Sequence, residues 1–316
     1  MGATAMTEPT TELTSDDLER MSRELRNWGR WGPEDERGAL NLITDAKRAD
    51  AASLVRDGVT VSCAQPLPVS PAPDNPTPVA HHMVSGGDAV DPKSRFGIAR
   101  DYFAIAPHGM ATTHLDALCH IFVEGKMYNG YDKSEVRTDG AQRNSIMSGS
   151  DGIVSRGVLL DIPGLRGIDW LEPGDPITVE ELGQAEARQG VHVEEGDILL
   201  VATGRDARRA RLGRWGPPEG LAGLYADCLP WVHERGVAVL GGDGASDLMP
   251  SRISGWPMPF HQIAIVSMGI HLIDNMQLDR LLAACRERER WEFLFVLAPL
   301  RLERGTASPL NPIAVF

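Results

Sequence analysis

Two short runs, Val158-Leu159-Leu160 and Ile198-Leu199-Leu200-Val201-Ala202, are apolar at every position. A strand with one wet face alternates apolar and polar residues, so strands built on these runs must be covered on both faces. They are expected within Val154–Ile162 and Asp197–Thr203. Further strands are expected at Val59–Ser62, Asp101–Ala106, Val237–Leu240 and Trp291–Leu297. The first helix is expected to start at Ser15 as N-cap, with Asp16 and Asp17 in its first turn and Leu18, Met21, Leu25 and Trp28 on one face. A second runs from Thr44 to Gly58, and a third from Thr178, where Glu181 completes a capping box, to Gly190. Residues 219–235 read as mostly helical, kinked or broken at Pro230, and Leu278–Arg290 as a charged helix. Strands alternating with helices predict an α/β fold, a single-domain mixed sheet with flanking helices. The domain is expected to span 15–316, behind a disordered segment 1–14. Six prolines within residues 66–80 make that stretch irregular, in the manner of an arm or lid.

The chain carries 44 acidic against 31 basic residues, a net charge of −13. Such a balance speaks against nucleic acid and against an anionic membrane surface as partners. No apolar run approaches the roughly 20 residues that span a bilayer. Met1–Ser15 is polar and Thr-rich, without the basic start and apolar stretch of a signal peptide. Cys63, Cys119, Cys228 and Cys285 show no Cys-x-x-Cys spacing, so free thiols in a reducing compartment are expected. Together these features point to the cytoplasm and to a small-molecule substrate. The proline-rich arm and the Trp28-Gly29-Arg30-Trp31 anchor suggest a homodimer or homotetramer. Trp28 and Trp31 are either packing anchors or an aromatic wall for a substrate ring. Tyr128 is a further candidate aromatic contact.

Chemistry concentrates in Pro107–His120, which holds three of the nine histidines. His108, His114, Asp116 and His120 have equal parity, so an extended chain points them one way. An ideal strand would spread them too far apart for one cation, and a turn or bulge around Gly109–Thr113 is needed to gather them. Imidazole nitrogens with a carboxylate suit Zn²⁺, Mn²⁺ or Fe²⁺. A carboxylate has two oxygens and can bridge two ions. Three protein ligands leave a position for water, whose pKa falls toward about 7. A free histidine nearby can then shuttle protons. Spacing alone leaves a buried, hydrogen-bonded His–Asp pair as the alternative. Small residues before the cluster (Gly109, Ala111, Thr112, Thr113) let the backbone approach a ligand closely. Asp243, after Gly241-Gly242, either orients a ligand or terminates a strand.

Thr113-His114-Leu115-Asp116-Ala117-x-x-His120 resembles the signature of the Putative cyclase family, which includes bacterial kynurenine formamidase (arylformamidase), isatin hydrolase and polyketide-associated cyclases. The usual motif there reads His-x-Gly-Thr-His-x-Asp-x-Pro-x-His. Trp31-Gly-Pro-Glu-Asp-Glu-Arg-Gly-Ala-Leu-Asn-Leu, Gly125-Lys-Met-Tyr-Asn-Gly, Gly241-Gly-Asp243 and Trp291-Glu-Phe-Leu-Phe-Val-Leu-Ala-Pro look like blocks of its longer bacterial members, so the likeness spans roughly 28–316. It implies a cyclase-like fold of the swivelling β/α type. It implies a divalent metal, Zn or Mn, as one or two ions. His114 would be a ligand of the first ion, Asp116 the bridging carboxylate, and His120 the proton donor and acceptor. His261 would match the distal histidine ligand. Asp274 would match the acidic ligand, usually Glu in Glu-Asn-Leu. One departure matters: the first ligand histidine, four residues before His114, is Met110 here. A thioether is a poor ligand for these ions. His108 would substitute if the loop bulges; otherwise the first site is weak or absent. The resemblance implies hydrolysis of a small cyclic or aryl amide or ester. The alternatives are a cyclase or dehydratase with little or no metal, and a catalytically inactive binding or assembly protein.

Overall fold

The computed structural model describes Pro9 and residues 12–316. One nine-stranded mixed sheet organises them. Its strands in chain order are β1 (Thr60–Ser62), β2 (His114–Asp116), β3 (Ile153–Asp161), β4 (Ile198–Ala202), β5 (Val239–Gly242), β6 (His271–Asp274), β7 (Glu292–Leu297), β8 (Ala307–Pro309) and β9 (Ile313–Val315). Across the sheet the order is β1-β9-β7-β3-β4-β5-β6-β2-β8. The centre, β3-β4-β5-β6, is parallel. On one side β7, β9 and β1 continue it antiparallel, and on the other β2 and β8 do the same.

The apolar runs fill both faces, as their composition demands. Val158, Leu160, Leu199 and Val201 belong to one core cluster, while Leu159, Ile198 and Leu200 belong to the other. The first cluster is closed by α4 (Val179–Gln189), α6 (Leu229–Glu234) and a π-helix, Phe260–Met268. The second is closed by α7 (Asp279–Arg288) and by the rings of Phe293, Phe295 and Phe316. No helix among the described residues is long and apolar enough to cross a membrane. All four cysteines are free and buried.

Several local expectations shift. Of the segment 1–14, residues 1–8, 10 and 11 lie outside the described residues. Thr14, not Ser15, caps α1 (Ser15–Glu24): its hydroxyl accepts from the Asp17 amide while Asp17 accepts from the Thr14 amide. Trp28 falls beyond the end of that helix. The second helix is shorter than expected, Asp45–Ala52 with Thr44 as cap. Within residues 219–235 a 3-10 turn, Ala226–Cys228, runs into α6; Pro230 sits in the first turn of α6, where its missing N–H costs nothing, so it starts the helix instead of kinking it. The strand expected at 101–106 is Arg100–Ala104, and it pairs only with Ala80–Ser85 in an exposed hairpin. That arm and the irregular proline stretch before it present Val69, Met83, Tyr102 and Phe103 to solvent.

Gly157 in β3 faces Phe293 of β7, and a Cβ there would lie 2.4 Å from Phe293 Cε2. Gly157→Ala must displace a ring packed at 5.7 Å from Phe295 and 5.3 Å from Phe316. We expect it to destabilise the fold by about 1–3 kcal/mol in chemical denaturation. An unchanged midpoint would show that the aromatic cluster is loosely packed.

Candidate active site

The short strand β2 delivers two polar residues to one face and one apolar residue to the other. Leu115 enters the second core cluster, while His114 and Asp116 face away from it. Register places Asp274, the last residue of β6, opposite His114. The chain then turns sharply on both sides of β2. Upstream, Gly109 adopts φ +133°, a value open to glycine, and brings His108 back. Downstream, the His120 amide donates to the Ala117 carbonyl at 2.9 Å and closes a turn. His261 arrives separately, in the first turn of the π-helix.

These residues converge on Asp116, which is 0% exposed. Its Oδ1 lies 3.0 Å from His108 Nδ1, 3.4 Å from His114 Nε2 and 4.0 Å from His120 Nε2. Its Oδ2 lies 3.4 Å from His261 Nε2, which is also 3.4 Å from Asp274 Oδ2. Three of the four imidazoles are fixed from behind. His114 Nδ1 donates to the Thr112 carbonyl at 2.9 Å, and His261 Nδ1 to Asp247 Oδ2 at 2.7 Å. Those bonds place a proton on each Nδ1 and turn each Nε2 toward Asp116. His108 Nε2 is 3.2 Å from the Thr306 hydroxyl, so its Nδ1 faces inward. His120 differs: among the described residues no hydrogen bond anchors its ring. It stacks on His108 at 3.8 Å and forms the open rim, 25% exposed.

The donor set fits a cation. Both oxygens of Asp116, Oδ1 of Asp274 and Nδ1 of His108 are buried without a hydrogen-bond partner. Natural structures leave few such atoms unpaired. Two overlapping groups share Asp116: His108, Asp116 and His120, and His114, Asp116 and Asp274. Electrostatics point the same way. Burial favours neutral forms, yet the imidazoles of His108, His114 and His261 hold Asp116 well below the usual carboxylate range. Burial would lower His114 too, but Asp116 and Asp274 outweigh it and raise it to about 9. His261 is likewise raised against burial, by Asp274, Asp116 and Asp247. The buried carboxylates thus demand positive charge where the ring nitrogens converge. His120 goes the other way: burial, reinforced by His108, brings it down to about 4 despite Asp116.

The comparisons agree with this architecture. The family model described as Putative cyclase matches residues 36–246. The chain belongs to this family. A crystal structure of a novel cyclase is 31% identical, with a TM-score of 0.82 over 92% of this chain and 100% of that one. Isatin hydrolase A from Ralstonia solanacearum is similar in fold, at 22% identity and TM-score 0.59 over 85% of this chain and 95% of that one. So is a predicted metal-dependent hydrolase from Bacillus stearothermophilus, at 16% identity and TM-score 0.51 over 81% and 97%. No curated protein matches the chain.

Within this cyclase-family chain the structure gathers His108, His114, Asp116, His120, His261 and Asp274, and leaves four other candidates outside. Tyr128 is fully buried, and its hydroxyl donates to Asp35 at 2.9 Å, so it is a core residue and not a substrate contact. Asp243 accepts from the Thr203 amide and hydroxyl and from the amides of Gly204 and Arg205, and so anchors the start of α5 (Arg205–Leu212). Those donors give it a structural role. Trp28 and Trp31 pack against the first core cluster, and Trp28 Nε1 donates to the Val266 carbonyl at 2.7 Å. Trp28 lines a cavity of about 80 Å³ that none of the six gathered residues borders. Thr112 serves through its carbonyl; the hydroxyl that ties the loop down is that of Thr113, donating to the Asn275 carbonyl at 2.7 Å. Cys119 is core.

Asp247 was not legible. In Gly241-Gly-Asp-Gly-Ala-Ser-Asp247 the two acids look alike, and only the fold assigns one to α5 and the other to His261. Asp247→Asn would weaken the hold on the His261 ring. We expect about 10–100-fold weaker Zn²⁺ binding in a competition titration with a chromophoric chelator. Unaltered affinity would remove Asp247 from the ligand support.

Proposed function

We propose that this chain is a metal-dependent hydrolase of a small cyclic or aryl amide or ester. The observation that carries this is the buried, unpaired carboxylate of Asp116, faced by four imidazoles and near Asp274. His108, His114, Asp116, His261 and Asp274 would hold Zn²⁺ or Mn²⁺, as one or two ions. A bound ion supplies Lewis acidity toward a carbonyl oxygen and acidifies a coordinated water.

Hydrolysis adds water across the acyl C–N or C–O bond, so one proton must leave the water and one must reach the departing nitrogen or oxygen. His120 suits both transfers. It is partly exposed at the rim and its ring is unanchored, so it can reach both the water and the leaving group to accept the first proton and return it as the second. An apolar cavity of about 480 Å³, within the roughly 300–1,000 Å³ usual for small ligands, is lined by neighbours of Thr113 and not by the six gathered residues themselves. Its walls include Leu67, Phe103 and Leu310, which favour a ring over a charged group. Gln65 and Leu310 in those walls donate their amides to Thr113, the residue before His114. The metal-poor cyclase alternative rested on Met110; with His108 beside Asp116 the donor count does not fall short. We also propose assembly into a homo-oligomer, on the exposed apolar side chains of the arm.

Protein purified without chelator should carry close to one Zn or Mn ion per chain or more, and should hydrolyse members of a panel of aryl amides and esters. His120→Ala should cut turnover by about 10²–10⁴-fold with metal content unchanged. A chain that neither holds these ions nor responds to them contradicts the metal reading; unimpaired His120→Ala contradicts the proton role.

A further inference from the structure

The turn between His108 and His114 is held by groups remote in sequence. Asn275 follows Asp274 and adopts φ +56°. Its Nδ2 donates to the carbonyls of Gly109 at 2.7 Å and Thr112 at 3.2 Å. Arg205, buried in the first turn of α5, donates through Nη2 to the Met110 carbonyl at 2.7 Å. Its Nη1 donates to Asn275 Oδ1 at 2.8 Å and to the Asp243 carbonyl at 3.0 Å. Three carbonyls of a four-residue turn are therefore pinned by two side chains that are themselves hydrogen-bonded together. With its carbonyl fixed, residue 110 points its side chain into the cluster of Trp215, Leu221 and Ala245. The same bulge carries His108 to 3.0 Å from Asp116.

We propose that Arg205 and Asn275 are positioning residues that keep the 109–112 turn bulged, so that His108 and not residue 110 completes the donor set. The proposal rests on the metal-site reading above. A charge-assisted bond from a buried guanidinium to a carbonyl is stronger than a neutral hydrogen bond, and fixing ligand orientation is how outer groups tune affinity.

A double-mutant cycle on Co²⁺ affinity tests this, read by the visible d–d absorption of metal-depleted full-length protein titrated with Co²⁺. Asn275→Ala and Arg205→Lys should each weaken Co²⁺ by about tenfold or more and alter the band shape. In a His108→Ala background neither should weaken it further, because the group they position is gone. Equal losses in both backgrounds would overturn the proposal, since they would mark a general structural role. Met110→His added to His108→Ala keeps the question open to refutation if the clamp variants do not fold. The clamped turn directs position 110 away, so no recovery of affinity is expected, and recovery would overturn the proposal. Wild-type protein that binds no Co²⁺ would sink the metal reading and this proposal together; binding with additive losses would sink the proposal alone.

Discussion

A carboxylate removed from water and left without a hydrogen-bond donor costs several kcal/mol unless positive charge reaches it. Asp116 is in that position, and the rest of the site is arranged around it. Four imidazoles lie within 4.0 Å of its oxygens. Two of them, His114 and His261, are driven toward the protonated form by the same carboxylates. Protonated imidazole and divalent cation answer the same electrostatic demand, and that equivalence links the buried charge to metal chemistry. It also separates the roles: rings with an anchored outer nitrogen are fit to be ligands, and the unanchored ring of His120 is fit to move a proton.

The sheet makes this arrangement affordable in structural terms. Its parallel centre is sealed on both faces by aliphatic side chains, and polar residues gather where β4, β5 and β6 end. Ligands of open α/β sheets commonly bind beyond the carboxyl ends of their strands. Asp274 ends β6, Asp243 and Asp247 follow β5, and Arg205 follows β4. The antiparallel insertion of β2 beside β6 then brings His114 and Asp116 to that edge from a segment remote in sequence. A π-helix supplies His261; such helices are frequent at functional sites.

Much of this is legible in the amino-acid sequence. Apolar runs without alternation demanded a doubly covered sheet, and the structure has one. The His114-x-Asp116 and His120 spacing, with the family resemblance, points to residues that do converge, and the turn that strand length demands around Gly109–Thr113 is present at Gly109. What was not legible depends on contacts between distant segments. Tyr128 and Asp243 carry attractive side chains beside glycines, but burial and partners, which local sequence does not encode, make them structural. Asp247 and Arg205 have no local signature at all, and Asn275 only its place after Asp274; their meaning lies in the atoms that the fold sets before them. Pro230 misled for a related reason, because a proline marks a helix start as readily as a kink until the preceding segment is known.

The central claim is that Asp116 is the shared ligand of a metal centre. Anomalous diffraction from crystals grown with Zn²⁺ or Mn²⁺, recorded on both sides of the metal's absorption edge, tests it most directly. The account predicts a peak about 2.0–2.2 Å from an Asp116 oxygen, with nitrogens of His114 or His261 completing the coordination. Asp116 ringed by the same imidazoles with no anomalous peak beside it would contradict the account.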